Sequence, residues 1–184
     1  MLPIPTRTIA QTTLTGTSTS ETLNVGTPSL PFTHRHLVFR WNAQSDNDNT
    51  TISLFLQLNG DTGANYNVQR IVGAGSSDTA SRGTGATSFN HLCFPGDATS
   101  SSAFGGGELL IPDAFSTRTH KSMIATCAAV EDNLRLVTGR WANTDAITSV
   151  TVLPQLGNFV AGSFFELAVV DEMFAIPGAE TILA

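Results

Sequence analysis

The stretch that decides the fold is TTISLFLQLNGDTGANY, at residues 50–66. Its aliphatic side chains recur at every second position: Ile52, Leu54, Leu56 and Leu58. Because the side chains of a β-strand point alternately to its two faces, all four can enter one core. The segment Asn59-Gly60-Asp61 follows with residue types that tolerate a positive φ, as tight turns require. The stretch therefore predicts a central strand that ends in a turn.

The same alternation and the same turn residues recur along the chain. Further strands are predicted at residues 36–42, 66–72, 89–94, 108–111, 122–130, 134–141, 147–153 and 159–170. The first of them is expected to pair with the central strand and to continue into a meander. Roughly eight to ten strands at intervals of about 8–12 residues are typical of a sandwich or jelly roll. The sequence therefore predicts an all-β, antiparallel β-sandwich that is jelly-roll-like.

The chain divides into one folded body and two ends. Residues 34–170 are predicted to form the β-sandwich domain, with the Gly/Ser-rich region 73–107 interpreted as two long loops around one strand. Residues 1–33 fit either short edge strands or an extended N-terminal arm, and both alternatives stay open. Residues 171–184 form an apolar C-terminal tail, interrupted by Pro177-Gly178, that is expected to dock on its own domain or on a neighbour.

Composition argues against several functional classes. Charged residues make up only 13% of the 184 residues, and the net charge of −6 without a Lys/Arg cluster argues against nucleic-acid binding. No apolar run approaches the roughly 20 residues that span a bilayer, and the N-terminus lacks the features of a signal peptide. These observations predict a non-secreted chain made in the cytoplasm.

The two cysteines, Cys93 and Cys127, are predicted to be buried free thiols.

Metal and catalytic motifs are weak in this sequence. His34 and His36 could join His91 and Cys93 in a zinc site, but the close pairs of a zinc motif are missing. Residues 46–49, DNDN, begin like a calcium loop whose later ligand positions then fail. Neither a nucleophile elbow nor a phosphate-binding loop is present. The sequence therefore predicts no enzyme, no metal and no cofactor.

Three segments together resemble the all-β virion proteins of tailed bacteriophages. They are the strand HLVFRW at 36–41 with LFLQLNGDTGANY, the segment WANTDAITSVTV at 141–152, and GNFVAGSFFEL at 157–167. The resemblance covers residues 34–170 and excludes both ends of the chain. It implies a structural protein of the virion, made in the host cytoplasm, and most directly a capsid decoration (cement) protein that binds across subunit junctions of the head.

The resemblance also implies partners. These are the major capsid protein or other virion proteins, and a homo-oligomer with a trimer favoured, so that several weak contacts act together. The predicted contact residues are the apolar side chains of the two ends: Leu2, Ile4, Ile9, Leu14, Phe174, Ile176, Ile182 and Leu183. Two alternatives stay open. One is a carbohydrate-binding module of a tail fibre or baseplate, which would need Trp41, Tyr66 or Trp141 exposed for stacking, although their positions in alternating strands favour core packing. The other is a subunit of the tail or head-tail connector.

Overall fold

The computed structural model describes residues 6–26, 36–98, 102–130 and 132–170. Twelve strands form within these ranges: β1 Thr6–Thr13, β2 Glu21–Asn24, β3 Leu37–Ala43, β4 Thr51–Leu58, β5 Tyr66–Ala74, β6 Ser77–Ala86, β7 Phe89–Pro95, β8 Gly105–Ile111, β9 Lys121–Ala129, β10 Asn133–Trp141, β11 Ser149–Pro154 and β12 Phe164–Val170. The described residues contain no helix. The predicted all-β, antiparallel sandwich is confirmed.

The twelve strands belong to two antiparallel sheets of unequal size. The larger sheet has the order β1-β12-β3-β8-β9-β10-β5-β6, and the smaller has the order β2-β11-β4-β7. Strand β7 of the smaller sheet crosses the inner face of the larger one and contacts β9, β8, β10 and β5. The smaller sheet therefore covers one face of the larger sheet, whose other face stays uncovered by any described strand.

Strand β4 matches the prediction for the central stretch. Ile52, Leu54, Leu56 and Leu58 are all buried, and each is at most 1% exposed. Asn59 and Gly60 then take positive φ values of 55° and 67°, as the turn requires. The alternation thus correctly identified both the strand and its core face.

The expected pairing of this strand was wrong. β3 lies between β12 and β8 in the larger sheet, whereas β4 lies between β11 and β7 in the smaller one. The polar loop between them carries the chain from one sheet to the other, so no meander β3-β4-β5 forms. Alternation identifies which face of a strand is buried, but the pairing partner depends on contacts far away in sequence.

The region 73–107 also differs from its interpretation as two long loops. β5 and β6 form a hairpin in which Ile71 pairs with Ala80 and Gly73 with Asp78, and β8 already begins at Gly105. Nearly every β6 residue is exposed, whichever face of the strand its side chain lies on. With neither face in a core, the strand needs no apolar alternation, and its Ser, Thr and Gly residues therefore resemble a loop in the sequence.

Both ends of the described chain take part in the sheets. β1 pairs with β12, and β2 pairs with β11, which corresponds to the edge-strand alternative for residues 6–24. At the other end, β12 begins only at Phe164, because Gly162 takes a φ of 91° and interrupts the strand predicted from residue 159. Phe159 remains buried in the core as an isolated bridge partner of Ser18 and Ser45.

A hydrogen-bonded corner fixes the turn after β4 to the end of β10. The Trp141 Nε1 group donates to Asp61 Oδ2 at 2.6 Å, and the Leu58 amide donates to the Tyr66 hydroxyl at 2.9 Å. Burial raises the pKa of Asp61, but hydrogen bonds from Trp141, Asn65 and Gly63 outweigh it and hold this pKa below its usual value. Trp141 and Tyr66 are fully buried here.

Candidate interaction surface

Four aliphatic side chains form an exposed patch on the uncovered face of the larger sheet. Exposure is 53% for Ile71, 47% for Ile124, 63% for Leu134 and 43% for Leu136. Leu136 pairs directly with Ile71 on β5 and with Thr126 on β9, while Ile124 lies opposite Thr138. Single exposed aliphatics are ordinary, but neighbours on adjacent strands form a contiguous apolar surface. These four residues are called the outer patch below.

The outer patch arises mainly because β10 carries apolar side chains on both of its faces. In β10, Leu134 and Leu136 alternate with Arg135 and Val137, and the latter two are the buried ones. The sequence predicted a strand at residues 134–141 but not the patch on its outer face. The signal available in the sequence was a strand with apolar side chains on both faces, Leu134 and Leu136 on one and Val137 on the other.

A charged ladder lies beside the outer patch on the same face. Arg40 of β3 pairs with Glu108 of β8 at 2.7 Å and with Glu166 of β12 at 3.4 Å. In the sheet register, Glu108 lies opposite Thr126, and Thr126 lies opposite Leu136. The face therefore changes from charged to apolar along one row of the sheet, a mixture typical of a protein-contact surface with a polar rim.

A shallow cavity opens at the other end of strands β5 and β10. Its volume is about 160 Å³, and its lining includes the polar side chains of Asn67, Gln69, Arg82, Thr138 and Arg140. Arg82 and Arg140 are both exposed. The described lining contains no aromatic side chain, so the cavity offers no ring on which a sugar could stack.

Of the predicted contact residues, two lie in the described part of the chain. Ile9 and Leu14 are partly buried and pack against the core. The remaining six lie outside the described residues: Leu2, Ile4, Phe174, Ile176, Ile182 and Leu183. Ile9 and Leu14 therefore have a packing role within the domain, and the outer patch lies on a different part of the larger sheet.

Comparison with protein-family models, with curated proteins and with solved structures finds no match. Within the described ranges, no helix is long and apolar enough to cross a membrane. The outer patch therefore has to be interpreted from its own geometry.

The residues considered for zinc binding do not converge. His91 Nδ1 is 2.9 Å from Nη1 of the Arg70 guanidinium, and Cys93 faces Cys127 instead of a histidine. The nitrogen of His36 accepts a hydrogen bond from the Asp113 amide, and His34 lies outside the described residues. Among residues whose placement is described, no three His, Cys, Asp or Glu side chains form a metal-binding group.

The DNDN loop is fixed to another loop of the protein. Both oxygens of Asp46 accept hydrogen bonds from Asn158, one from its amide at 2.7 Å and one from its side chain at 2.8 Å. The hydrogen bonds from Asn158 lower the pKa of Asp46. The carboxylate that would begin a calcium loop thus holds together the β3–β4 and β11–β12 connections.

The three aromatic residues considered for sugar stacking lie in the core. Trp41 is 3% exposed, and Tyr66 and Trp141 are 0% exposed. Trp41 also donates its Nε1 hydrogen to the Cys93 carbonyl at 3.1 Å. The expectation that these residues pack in the core is confirmed, and none of them is available to a ligand at the surface.

We expect His91→Asn to remove part of the pH dependence of stability. Burial, followed by the positive charges of Arg70 and Arg135, lowers the pKa of His91 to about 4. In the unfolded chain His91 binds a proton near pH 6.5. The stability that its low folded-state pKa contributes is therefore present above pH 6.5 and is lost as the pH falls toward 4. After allowance for solvent screening, the loss is about 1–2 kcal/mol. Urea unfolding at pH 7.5 and pH 4.5 measures it.

Asparagine is a suitable replacement because the backbone at residue 91 has a positive φ. His91 has a φ of 72°, a conformation that asparagine tolerates better than most residues. Every other ionisable residue is the same in both proteins, so the difference between the two pH profiles isolates His91. Parallel profiles for the two proteins would contradict the prediction.

Proposed function

We propose that this chain is a non-enzymatic structural protein of a tailed-phage particle, a decoration protein that binds the head through the outer patch. The observation that carries the proposal is the exposed apolar surface formed by Ile71, Ile124, Leu134 and Leu136 beside a charged ladder. The resemblance of residues 34–170 to phage virion proteins supplies the kind of partner, the major capsid protein.

The geometry of the larger sheet supports this role. A rigid antiparallel sheet presents the patch on paired strands, so little conformational entropy is lost when a partner covers it. Apolar side chains in the centre and charged groups at the rim are the usual arrangement of a protein interface. Several copies held in an oligomer would each add one moderate contact, and their combined binding to the shell would be strong.

The binding test uses two substitutions in the patch. We expect Leu134→Ser combined with Leu136→Ser to weaken binding to heads that lack the protein by about 10-fold or more, because two exposed aliphatic contacts are lost. The measurement is co-sedimentation of the purified chain with particles of the encoding phage prepared without it. Mass analysis of the purified protein reports whether the oligomer is unchanged.

The matched control is Leu156→Ser. Leu156 is 46% exposed but lies between β11 and β12, outside the patch. We expect this variant to bind as the unaltered chain does, and both variants to keep their melting temperature. Undiminished binding by the patch variant would contradict the proposed surface. Absence of the chain from purified particles would contradict the proposed function itself.

The carbohydrate-binding alternative has less support. Trp41, Tyr66 and Trp141 are buried, and the described lining of the cavity at Arg82 and Arg140 contains amides and arginines without an aromatic side chain. A glycan array with the purified protein separates the two functions. A specific sugar signal that is lost in Arg140→Ala would favour the alternative, whereas no signal agrees with a decoration protein.

A further inference from the structure

Two cysteines from opposite sheets meet inside the sandwich. Cys93 lies on β7 of the smaller sheet, and Cys127 lies on β9 of the larger one. Their sulfur atoms are 2.9 Å apart, and the Cys93 amide donates to Cys127 Sγ at 3.1 Å. Both residues are free thiols and are buried, as the sequence predicted. The contact is therefore a cross-sheet pair of thiols with no other cysteine in the chain to compete.

Small residues allow the two sheets to approach closely at this point. Ala125 and Ala129 flank Cys127 on the inner face of β9, and both are buried. On the neighbouring strand β8, Gly107 pairs with Cys127, and a Cβ atom at Gly107 would lie only 2.6 Å from Cys127 Cβ. Packed sheets normally lie about 10 Å apart. Bulkier residues at these positions would push the two sheets further apart and separate the two sulfur atoms.

The surroundings also favour reaction at Cys127. Hydrogen bonding from Cys93 lowers the pKa of the Cys127 thiol and outweighs burial, which raises it, while the nearby Arg135 guanidinium adds to the lowering. Arg135 is 8% exposed and is held by Asn133 Oδ1, Ser53 Oγ and the His91 carbonyl. The thiolate is the reactive form in disulfide exchange, so Cys127 is suited to attack first.

We propose that Cys93 and Cys127 form an intramolecular disulfide that links the two sheets when the protein meets a disulfide oxidant such as oxidised glutathione. The Cys127 thiolate attacks one glutathione sulfur and releases one glutathione thiolate, which leaves a mixed disulfide. Cys93 loses its proton to solvent and attacks Cys127 Sγ, so the S–S bond to glutathione breaks. Both protein thiols are oxidised, and one oxidised glutathione is reduced to two glutathione molecules.

The test oxidises the full chain by two routes. In one, the folded protein is incubated with oxidised glutathione; in the other, it is refolded from denaturant in the same reagent, which gives the oxidant access to the buried sulfurs. We expect a mass loss of about 2 Da, protection of both cysteines from alkylation after unfolding, and a melting temperature higher by about 5 °C or more. Reduction should reverse all three changes.

Cys93→Ala is the control, because its remaining cysteine has no partner within the chain and cannot form the internal disulfide. Formation of the internal disulfide by either route with a raised melting temperature supports the proposal. Failure to form it by both routes overturns the proposal, and so does a disulfide that lowers the melting temperature. This result is independent of particle binding, which the oxidation experiment does not measure.

Discussion

Gly107→Ala is expected to destabilise the domain by about 3 kcal/mol or more, or to prevent it from folding. A Cβ atom at this position would lie 2.1 Å from the Thr126 carbonyl oxygen and 2.6 Å from Cys127 Cβ. Both neighbours belong to β9, which pairs with β8 in the middle of the larger sheet. The backbone would have to shift to relieve the overlap, and the β8–β9 hydrogen bonds would weaken.

Gly73→Ala is the matched control for this substitution. Gly73 also lies in a strand of the larger sheet, but no atom lies within 4 Å of the position its Cβ would take. We expect its effect to stay within about 0.5 kcal/mol. Denaturant unfolding of both variants gives the comparison, with a melting temperature about 10 °C lower for Gly107→Ala. Equal stability of the two variants would contradict the predicted overlap.

Alternation predicted the strands whose faces differ in environment. β4 has a buried inner row, with Phe55 and Gln57 partly exposed on the other face, so a period of two is visible and the strand was identified with its turn. β6 is the opposite case, because both of its faces meet solvent and its sequence SDTASRGTGA carries no periodic signal. Its pairing with β5 is fixed by backbone hydrogen bonds, which any residue other than proline can donate and accept.

The candidate interaction surface was harder to predict for a related reason. Leu134 and Leu136 are as apolar as the buried Leu54 and Leu56, and the sequence does not show which side of β10 the smaller sheet covers. That side depends on β7 crossing over β9 and β10, a contact between segments distant in the chain. The predicted contact residues in the two ends were chosen by hydrophobicity alone, and of these Ile9 and Leu14 pack against the domain's own core.

Lys121 shows that charge alone does not place a residue at the surface. It is 0% exposed, and its Nζ donates to the carbonyls of Ser116 at 2.7 Å, Thr119 at 3.0 Å and Thr144 at 3.1 Å. An ammonium group has three hydrogens, so all of its donors are used. Burial lowers the pKa of Lys121, while the nearby carboxylates of Asp113 and Asp145 act to raise it. The side chain thus holds two loops to the start of β9.

Lys121→Met is expected to lower the free energy of unfolding by about 2–4 kcal/mol. Methionine fills a similar volume, so the loss comes from three carbonyl groups that no longer have their donor, and the β8–β9 and β10–β11 connections lose their shared anchor. Arg118→Met is the matched control, because Arg118 is exposed in the same loop and its removal should change stability by less than about 0.5 kcal/mol. Urea unfolding at pH 7 measures both variants. If Lys121→Met were as stable as Arg118→Met, water would have to replace the ammonium at all three carbonyls, and the interpretation of Lys121 as a buried anchor would be wrong.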